Sequence, residues 1–169
     1  PDIPGLELAG EVAQLGPGAT RFAVGDRVMA IAGGGGQAEL AVVHERQAMP
    51  VPDALGDVAA GGVPEVFTTA HDALFTQGAL AAGERLLVHG AAGGVGTAAV
   101  QLGAMAGAHV TATVRNPEVR DAVAALGADV VIDPEGFADA GPFDVVLELG
   151  FLHGRDALPG REVFSLIVD

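Results

Sequence analysis

The stretch VHGAAGGVG at residues 88–96 constrains the fold of this chain more than any other part of its sequence. An apolar run ends there in glycine and alanine, and the chain resumes as TAAVQLGAMAGA, which predicts a helix. So little side chain between a strand and a helix has two explanations. Either the turn packs tightly with no ligand, or its bare backbone is approached by a large, negatively charged group.

The sequence from residue 84 onward alternates between strands and helices. ERLLVHG, HVTATV, DVVID and FDVVLEL are apolar runs of strand length, and helices are predicted over 96–108 and over NPEVRDAVAALG. In the second of these helices Asn116 is a candidate cap, Pro117 suits the first turn and Gly127 ends the helix. Apolar strands alternating with helices predict an α/β fold with a parallel, doubly wound sheet.

The first part of the chain has a different pattern. ELAGEVAQLG, VGDRVMAIA and AELAVVH are short strand-like runs separated by turns, and they predict a β-rich domain over residues 1–55. Residues 56–83 are rich in alanine and broken at Pro64, which predicts two short connecting helices, with Asp53 as a candidate cap. Residues 84–169 then form the nucleotide-binding domain of this division.

Both ends of the sequence predict a fragment. The chain opens on PDIPGLELAG, without Met, and only FLHGRDALPG separates residue 150 from the strand-like REVFSLIVD. A crossover between parallel strands usually needs a dozen or more residues, so either the last strand adds antiparallel or at an unusual place, or this tail is not native-like. Cut sheets leave edges and apolar faces uncovered, and we therefore expect a homo-oligomer.

Composition excludes several classes of partner. The formal net charge of −14 argues against nucleic acid and against an anionic membrane surface. The absence of cysteine excludes disulfides and thiolate metal sites, and it fits a cytoplasmic location. No apolar run reaches the roughly 20 residues that a membrane helix needs.

The glycine turn has the form of a dinucleotide-binding turn. Its six-residue window is Ala91, Ala92, Gly93, Gly94, Val95 and Gly96. Alanine stands at the first glycine of the usual pattern, whereas Gly93 and Gly96 keep the second and third. The second glycine lets a pyrophosphate approach the backbone, and the third lets the helix pack on the strand.

The end of the following strand predicts which dinucleotide binds. An NAD-binding protein commonly carries a carboxylate there, but this chain offers Val114, Arg115 and Asn116. A guanidinium binds a 2′-phosphate with two parallel hydrogen bonds. We therefore predict NADPH, with Arg115 as the principal contact and Asn116 or Arg120 in support. The alternative is that Arg115 is only a solvated residue at a strand end.

Four segments together carry a resemblance to a known family. PGLELAGEVAQLGPGATRFAVGDRVMA, TTAHDALF, GERLLVHGAAGGVGTAAVQL and LGADVVID resemble the zinc-independent quinone oxidoreductases of the medium-chain dehydrogenase/reductase superfamily, the relatives of ζ-crystallin. The resemblance implies part of a GroES-like catalytic domain before an incomplete Rossmann-type domain, with NADPH between them. It also implies hydride transfer from the nicotinamide to a small quinone or conjugated enone.

The same resemblance identifies two residues near the nicotinamide. Thr69 lies where the family's Thr-Ala-Tyr stretch approaches the ring, and His71 replaces the tyrosine. His71 either donates a proton or hydrogen bond to the carbonyl being reduced, or is a partly buried histidine without a catalytic role.

We expect no metal at this site. The zinc enzymes of the superfamily carry His where this chain has Leu6, and they use cysteine ligands, which this chain lacks. Without a Lewis acid, a conjugated acceptor that spreads the incoming charge is the easier substrate. Glu7 is expected to pair with an arginine of the other domain.

Two further functions remain open at this point. An enoyl-thioester reductase of a polyketide or fatty-acid pathway shares VHGAAGGVG and VGDRVM, although the acidic composition argues against it. A non-catalytic, crystallin-like protein that binds NADPH is the other alternative.

Overall fold

The computed structural model describes residues 3–149 and the backbone of a short strand at 163–165. Contacts divide the chain into two units, Pro1–Val66 and Phe67–Asp169. The division falls inside residues 56–83, where connecting helices are expected. The three-part division into 1–55, 56–83 and 84–169 stays a prediction.

The first unit is built on a three-stranded antiparallel sheet. Its strands are β1 (Glu7–Glu11), β2 (Arg27–Ile31) and β3 (Ala48–Pro50), in the order β1-β2-β3. Alternate residues of the central strand face opposite clusters, as a strand requires. Val28 and Ala30 pack with Ala48, whereas Met29 packs with Val51 and Ala60. Ala60 belongs to helix α1 (Asp57–Ala60), so α1 helps to cover the second face.

The strand predicted over AELAVVH is wrong: residues 38–40 form bends, residues 41–44 have no regular structure, and the third strand is β3 instead. Leu40 is 78% exposed and Val42 fully exposed, while Val43 packs against the cluster around Val28. Alternating apolar residues give a segment strand propensity, but a strand also needs a neighbour to bond. Within residues 3–149 this segment has none.

Two short helices follow, as the break at Pro64 predicts. Helix α1 is separated by three residues from α2 (Pro64–His71), and a π-helical turn, Asp72–Gln77, continues α2. The expectation for Asp53 is wrong: the N-cap of α1 is Gly56, because the helix begins later than the sequence indicated.

The second unit contains the parallel sheet. Its strands are β4 (Arg85–His89), β5 (His109–Thr113), β6 (Val130–Ile132), β7 (Val145–Glu148) and β8 (Val163–Ser165). They are all parallel, in the order β6-β5-β4-β7-β8. This is the order of a Rossmann-type sheet, with its switch point at the carboxyl end of β4. The predicted fold class is therefore confirmed.

The last strand corrects an expectation from the sequence. β8 pairs parallel to β7, next to it in the usual order, rather than antiparallel or at an unusual place. It does so because the outer edge of β7 is open to a ladder on that side. The connection FLHGRDALPG, on which the expectation rested, lies outside the described residues.

Helices cover both faces of this sheet. The second unit contains α3 (Gly94–Met105), α4 (Arg120–Ala125) and α5 (Phe137–Ala140), with 3-10 turns at Pro117–Val119 and Pro134–Gly136. Gly103 of α3 packs so closely that a Cβ there would lie 2.6 Å from Leu86 Cδ2. Phe137 of α5 packs instead on the cluster containing Leu87. Because neighbouring residues of a strand point to opposite faces, α3 and α5 lie on opposite sides.

The ends of the segment containing α4 follow the sequence prediction. Asn116 caps its first turn by accepting a hydrogen bond from the Glu118 N–H at 3.0 Å, and Pro117 opens the turn. Gly127 follows the helix with φ of +113°, a conformation that favours glycine.

Replacing Gly127 with alanine is expected to destabilise the protein by about 1–3 kcal/mol. The backbone there disfavours any side chain, and a Cβ would lie 2.7 Å from Ala104 Cβ. Gly136→Ala is the matched control, because a Cβ at Gly136 meets nothing within 4 Å. Urea unfolding followed by circular dichroism measures both variants. Equal stabilities would contradict the prediction.

Candidate nucleotide-binding site

The glycine turn connects β4 to α3 at the switch point of the sheet. Gly90 bends the chain with φ of +70°, and its carbonyl oxygen accepts a hydrogen bond from the Gly93 N–H at 3.0 Å. Ala91 is buried, and its N–H donates to the Thr113 carbonyl at 3.2 Å. Ala92, next along the turn, is exposed. The turn is therefore anchored on the sheet and open at its tip.

Gly96 is the position where the helix meets the turn. A Cβ there would collide with the Gly90 carbonyl oxygen and lie 2.7 Å from the Cα of Ala91. Both obstacles are backbone atoms, which cannot rotate away as a side chain can. The third glycine of the sequence pattern thus has the packing role expected of it.

The first turn of α3 leaves its amide groups available. The N-cap, Gly93, is extended, with φ of −79° and ψ of 169°, and has no side chain to accept a hydrogen bond. The first N–H groups of an α-helix have no carbonyl partner within the helix, and in α3 these include the N–H groups of Gly94, Val95 and Gly96. Gly93 and Gly94 are exposed, Val95 is half-buried, and the first turn carries no acidic residue. An anion of the size of a diphosphate fits this cradle, which has a positive helix end and little side chain.

Arg115 follows the end of β5 and is exposed. Its guanidinium makes no hydrogen bond or ion pair with any residue that the structure describes. A guanidinium with no internal partner is available to a ligand phosphate, and it is equally compatible with solvent. The role of Arg115 therefore stays a prediction.

The two supporting residues differ in how far they are already engaged. Asn116 uses its side-chain oxygen as the helix cap, which leaves its amide group to donate. Arg120 donates through Nε to the Val114 carbonyl at 3.0 Å and through Nη2 to Asp133 at 2.9 Å. Asn116 has the more available donors of the two, and the role of either residue in binding stays a prediction.

The residues expected near the nicotinamide lie on α2. Thr69 is half-buried. His71, the last residue of α2, is exposed rather than partly buried, and its ring lies 5.0 Å from the Phe75 ring between centroids. An exposed imidazole is accessible to a substrate, and the part that either residue plays stays a prediction.

Glu7 has a partner within its own unit. Its carboxylate accepts a hydrogen bond from the Glu65 N–H at 2.9 Å, at the start of α2. The expected pairing with an arginine of the other domain stays a prediction. A carboxylate at the positive end of a helix is a stabilising arrangement. This favours a structural role for Glu7.

A row of buried polar side chains was missed by the sequence analysis. His89, Thr113 and Glu148 end three neighbouring strands at the same level of the sheet, and all three are buried. Nδ1 of His89 lies 3.0 Å from the Thr113 hydroxyl oxygen, and its Nε2 has no hydrogen-bond partner among the described residues. The sequence gives no register between strands, so the row is not visible in it.

Neither a metal cluster nor a membrane helix is found in the described part of the chain. Among residues 3–149, no three histidine, aspartate or glutamate side chains come together as a metal site requires. None of the helices in this range is long and apolar enough to cross a bilayer.

Two family models match the sequence. Residues 1–53 match the alcohol dehydrogenase GroES-like domain. Residues 94–149 match the zinc-binding dehydrogenase family. The first match covers the three-stranded sheet, and the second begins at α3 and ends just after β7.

Known proteins of two kinds are similar to the chain. It is 43% identical over 155 residues to a chloroplast envelope quinone oxidoreductase homolog of Arabidopsis thaliana, covering 84% of this chain and 46% of that protein. It is 48% identical over 129 residues to the polyketide synthase GfsB of Streptomyces halstedii, covering 76% of this chain and 2% of that protein. The chain thus spans about half the length of its quinone oxidoreductase relatives.

A solved structure with a bound dinucleotide is also similar. The mycobacterial protein Rv1454c, solved in complex with NADPH, superposes with a TM-score of 0.76 at 32% sequence identity. The match covers 85% of this chain and 48% of that one.

Burial lowers the pKa of His89 from its usual 6.5 to about 4. The unfolded chain therefore takes up a proton as the pH falls below 6.5, while the folded chain resists it until about pH 4. The free energy of unfolding should fall as the pH drops through this window, by about 2 kcal/mol between pH 7 and pH 5.

Urea unfolding at the two pH values, with His89→Phe as the variant, measures this contribution. The variant should lose about 2 kcal/mol less than the wild type between pH 7 and pH 5. His109→Phe removes an exposed imidazole at the start of β5 and should keep the wild-type loss. A wild-type loss that survives in His89→Phe would show that His89 is not its source.

Proposed function

Because this chain belongs to the medium-chain dehydrogenase/reductase superfamily and is similar to its quinone oxidoreductases, we propose that it is an NADPH-dependent oxidoreductase. The acceptor that we propose is a quinone or a conjugated enone, reduced by hydride transfer without a metal. The observation that supports this most directly is the uncapped first turn of α3 behind the glycine turn.

The diphosphate is proposed to bind at that turn. The amides of Gly94, Val95 and Gly96 provide donors, and the close packing of Gly96 keeps them at the end of the sheet. No acidic residue in the turn opposes an anion. The NADPH-bound structure of the similar mycobacterial protein gives the proposal independent support.

The 2′-phosphate is proposed to bind Arg115, supported by Asn116 or Arg120. The Arg115 guanidinium has all its donors available within the described residues, and the Asn116 amide group is next to it. Two charge-assisted hydrogen bonds in parallel favour a phosphate over a hydroxyl. This preference is what selects NADPH over NADH in the proposal.

The proposal of a conjugated acceptor follows from a mechanism without a metal, in which His71 is the hydrogen-bond or proton donor. When bound, NADPH supplies the hydride, and the chain orients it. With Thr69 and His71 near the nicotinamide, the exposed imidazole of His71 would donate a hydrogen bond or proton to the carbonyl oxygen. A quinone or enone spreads the added charge over its conjugated system, so one such donor replaces a metal.

A second candidate is an enoyl-thioester reductase. The similarity to a polyketide synthase favours it, and both candidates reduce a conjugated acceptor with the same cofactor. The net charge of −14 argues against docking an acidic carrier protein. A non-catalytic protein that binds NADPH is the remaining alternative, while the homo-oligomer and the cytoplasmic location stay predictions.

Replacing Arg115 with alanine should weaken NADPH binding about 10-fold to 100-fold, because a phosphate then loses a charge-assisted pair of hydrogen bonds. The affinity for NADH should change little. Isothermal titration with both dinucleotides measures the ratio, and Arg46→Ala controls for the loss of an exposed positive charge elsewhere. An unchanged ratio in Arg115→Ala would remove Arg115 from the assignment.

Turnover separates the three candidate functions. Oxidation of NADPH should be observed with 9,10-phenanthrenequinone and be faster than with a 2-enoyl thioester. Faster turnover of the thioester would favour the enoyl reductase. Binding of NADPH without turnover of either acceptor would support the non-catalytic alternative.

A further inference from the structure

Thr113, the last residue of β5, holds the end of β4 at two points. Its carbonyl oxygen accepts a hydrogen bond from the Ala91 N–H at 3.2 Å, and its hydroxyl oxygen lies 3.0 Å from Nδ1 of His89. The two contacts lie on either side of Gly90, where the chain bends out of the strand. The glycine turn is therefore tied to β5 on both sides of its bend.

The same strand end leads directly to Arg115. Between Thr113 and Arg115, the Val114 N–H donates to the Ile132 carbonyl at 2.9 Å. The Val114 carbonyl oxygen accepts from Arg120 Nε at 3.0 Å. Both backbone groups of Val114 are thus held, and Arg115 has a fixed starting point. The diphosphate turn and the arginine share one anchor.

The His89–Thr113 contact is well placed to keep that anchor rigid. Both side chains are buried, at 2% and 1% exposure, where a hydrogen bond is stronger than in water. The His89 ring also contacts Phe137 edge-on at 4.9 Å between centroids. Among the described residues, Thr113 is the one hydrogen-bond partner of the ring, so loss of its hydroxyl leaves both ring nitrogens unpaired.

We propose that His89 and Thr113 form a positioning pair that sets the spacing between the glycine turn and Arg115, and thereby the preference for NADPH. This inference rests on the proposed function. Neither residue touches the dinucleotide in the proposal; both act through the backbone of the turn and of residue 115.

The reason is that, in the proposed function, the diphosphate and the 2′-phosphate of NADPH are bound by two different segments. A ligand held at two points gains from the second only when the spacing between the two sites matches the ligand. NADH uses the diphosphate site but has no 2′-phosphate for Arg115. A looser link between β4 and β5 therefore weakens NADPH binding more than NADH binding, whereas a general loss of stability affects both alike.

Thr113→Val tests the proposal, because valine keeps the shape and the backbone carbonyl but removes the hydroxyl. Isothermal titration should show the NADPH-to-NADH affinity ratio falling about threefold to tenfold, with NADH affinity nearly constant. Thr111→Val is the matched control: Thr111 is buried on the same face of β5, opposite Leu87, and its variant should keep the ratio. Thr113→Ser, which restores a hydroxyl, should recover the preference.

A double variant identifies the route of the effect. In an Arg115→Ala background, Thr113→Val should change the NADPH-to-NADH affinity ratio no further, because the second site is already lost.

The positioning proposal alone is overturned if Arg115→Ala removes the NADPH preference but Thr113→Val leaves it intact. It is also overturned alone if Thr113→Val weakens the binding of NADPH and NADH equally. A wild-type chain without NADPH preference overturns the cofactor assignment, and this inference with it. If Thr113→Val does not fold, His89→Phe, which removes the ring nitrogen that contacts Thr113, carries the test, and an unchanged ratio in His89→Phe is the contrary result.

Discussion

The contact between Gly96 and the Gly90–Ala91 backbone is the constraint on which the nucleotide-binding unit depends. It brings the first turn of α3 directly against the end of β4, with no side chain between them. Seven residues later, Gly103 makes a similarly close approach to Leu86 on the sheet. The helix therefore lies close to the sheet at two points on one face, against backbone at Gly96 and against side chains at Gly103. Its first amide groups lie at the switch point of the parallel sheet.

The proposed site draws on two strand ends rather than on one motif. In the proposal, the turn after β4 provides the amides and the end of β5 provides Arg115, and the Thr113 carbonyl of β5 braces Ala91. Glu148, at the end of β7, continues the row of buried polar side chains beside them. Parallel strands bring their carboxyl ends to one edge, which is why residues far apart in the sequence meet here. The glycine pattern alone describes only the first of these contributions.

Local rules made much of the fold predictable from the sequence. Asn116, Pro117 and Gly127 mark the ends of a helical segment through interactions with their near neighbours, and all three behave as predicted. The parallel sheet was predictable because apolar strands alternate with helices. The strand prediction over residues 38–44 was wrong because alternating apolar residues indicate strand propensity but do not show which neighbouring strand the segment would pair with. The His89–Thr113 contact could not be predicted from the sequence, because it depends on the register between β4 and β5.

The small residues of α3 restrict the substitutions that its face toward the sheet can accept. Gly96, Ala99 and Gly103 are buried and hold almost no side-chain volume, so there is little to delete. At the two glycines enlargement is blocked, by backbone at one and by apolar side chains at the other. We consequently expect this interface to accept substitutions only among the smallest amino acids. The opposite layer, with Leu87 and Phe143 in its core, has room to exchange one large apolar side chain for another.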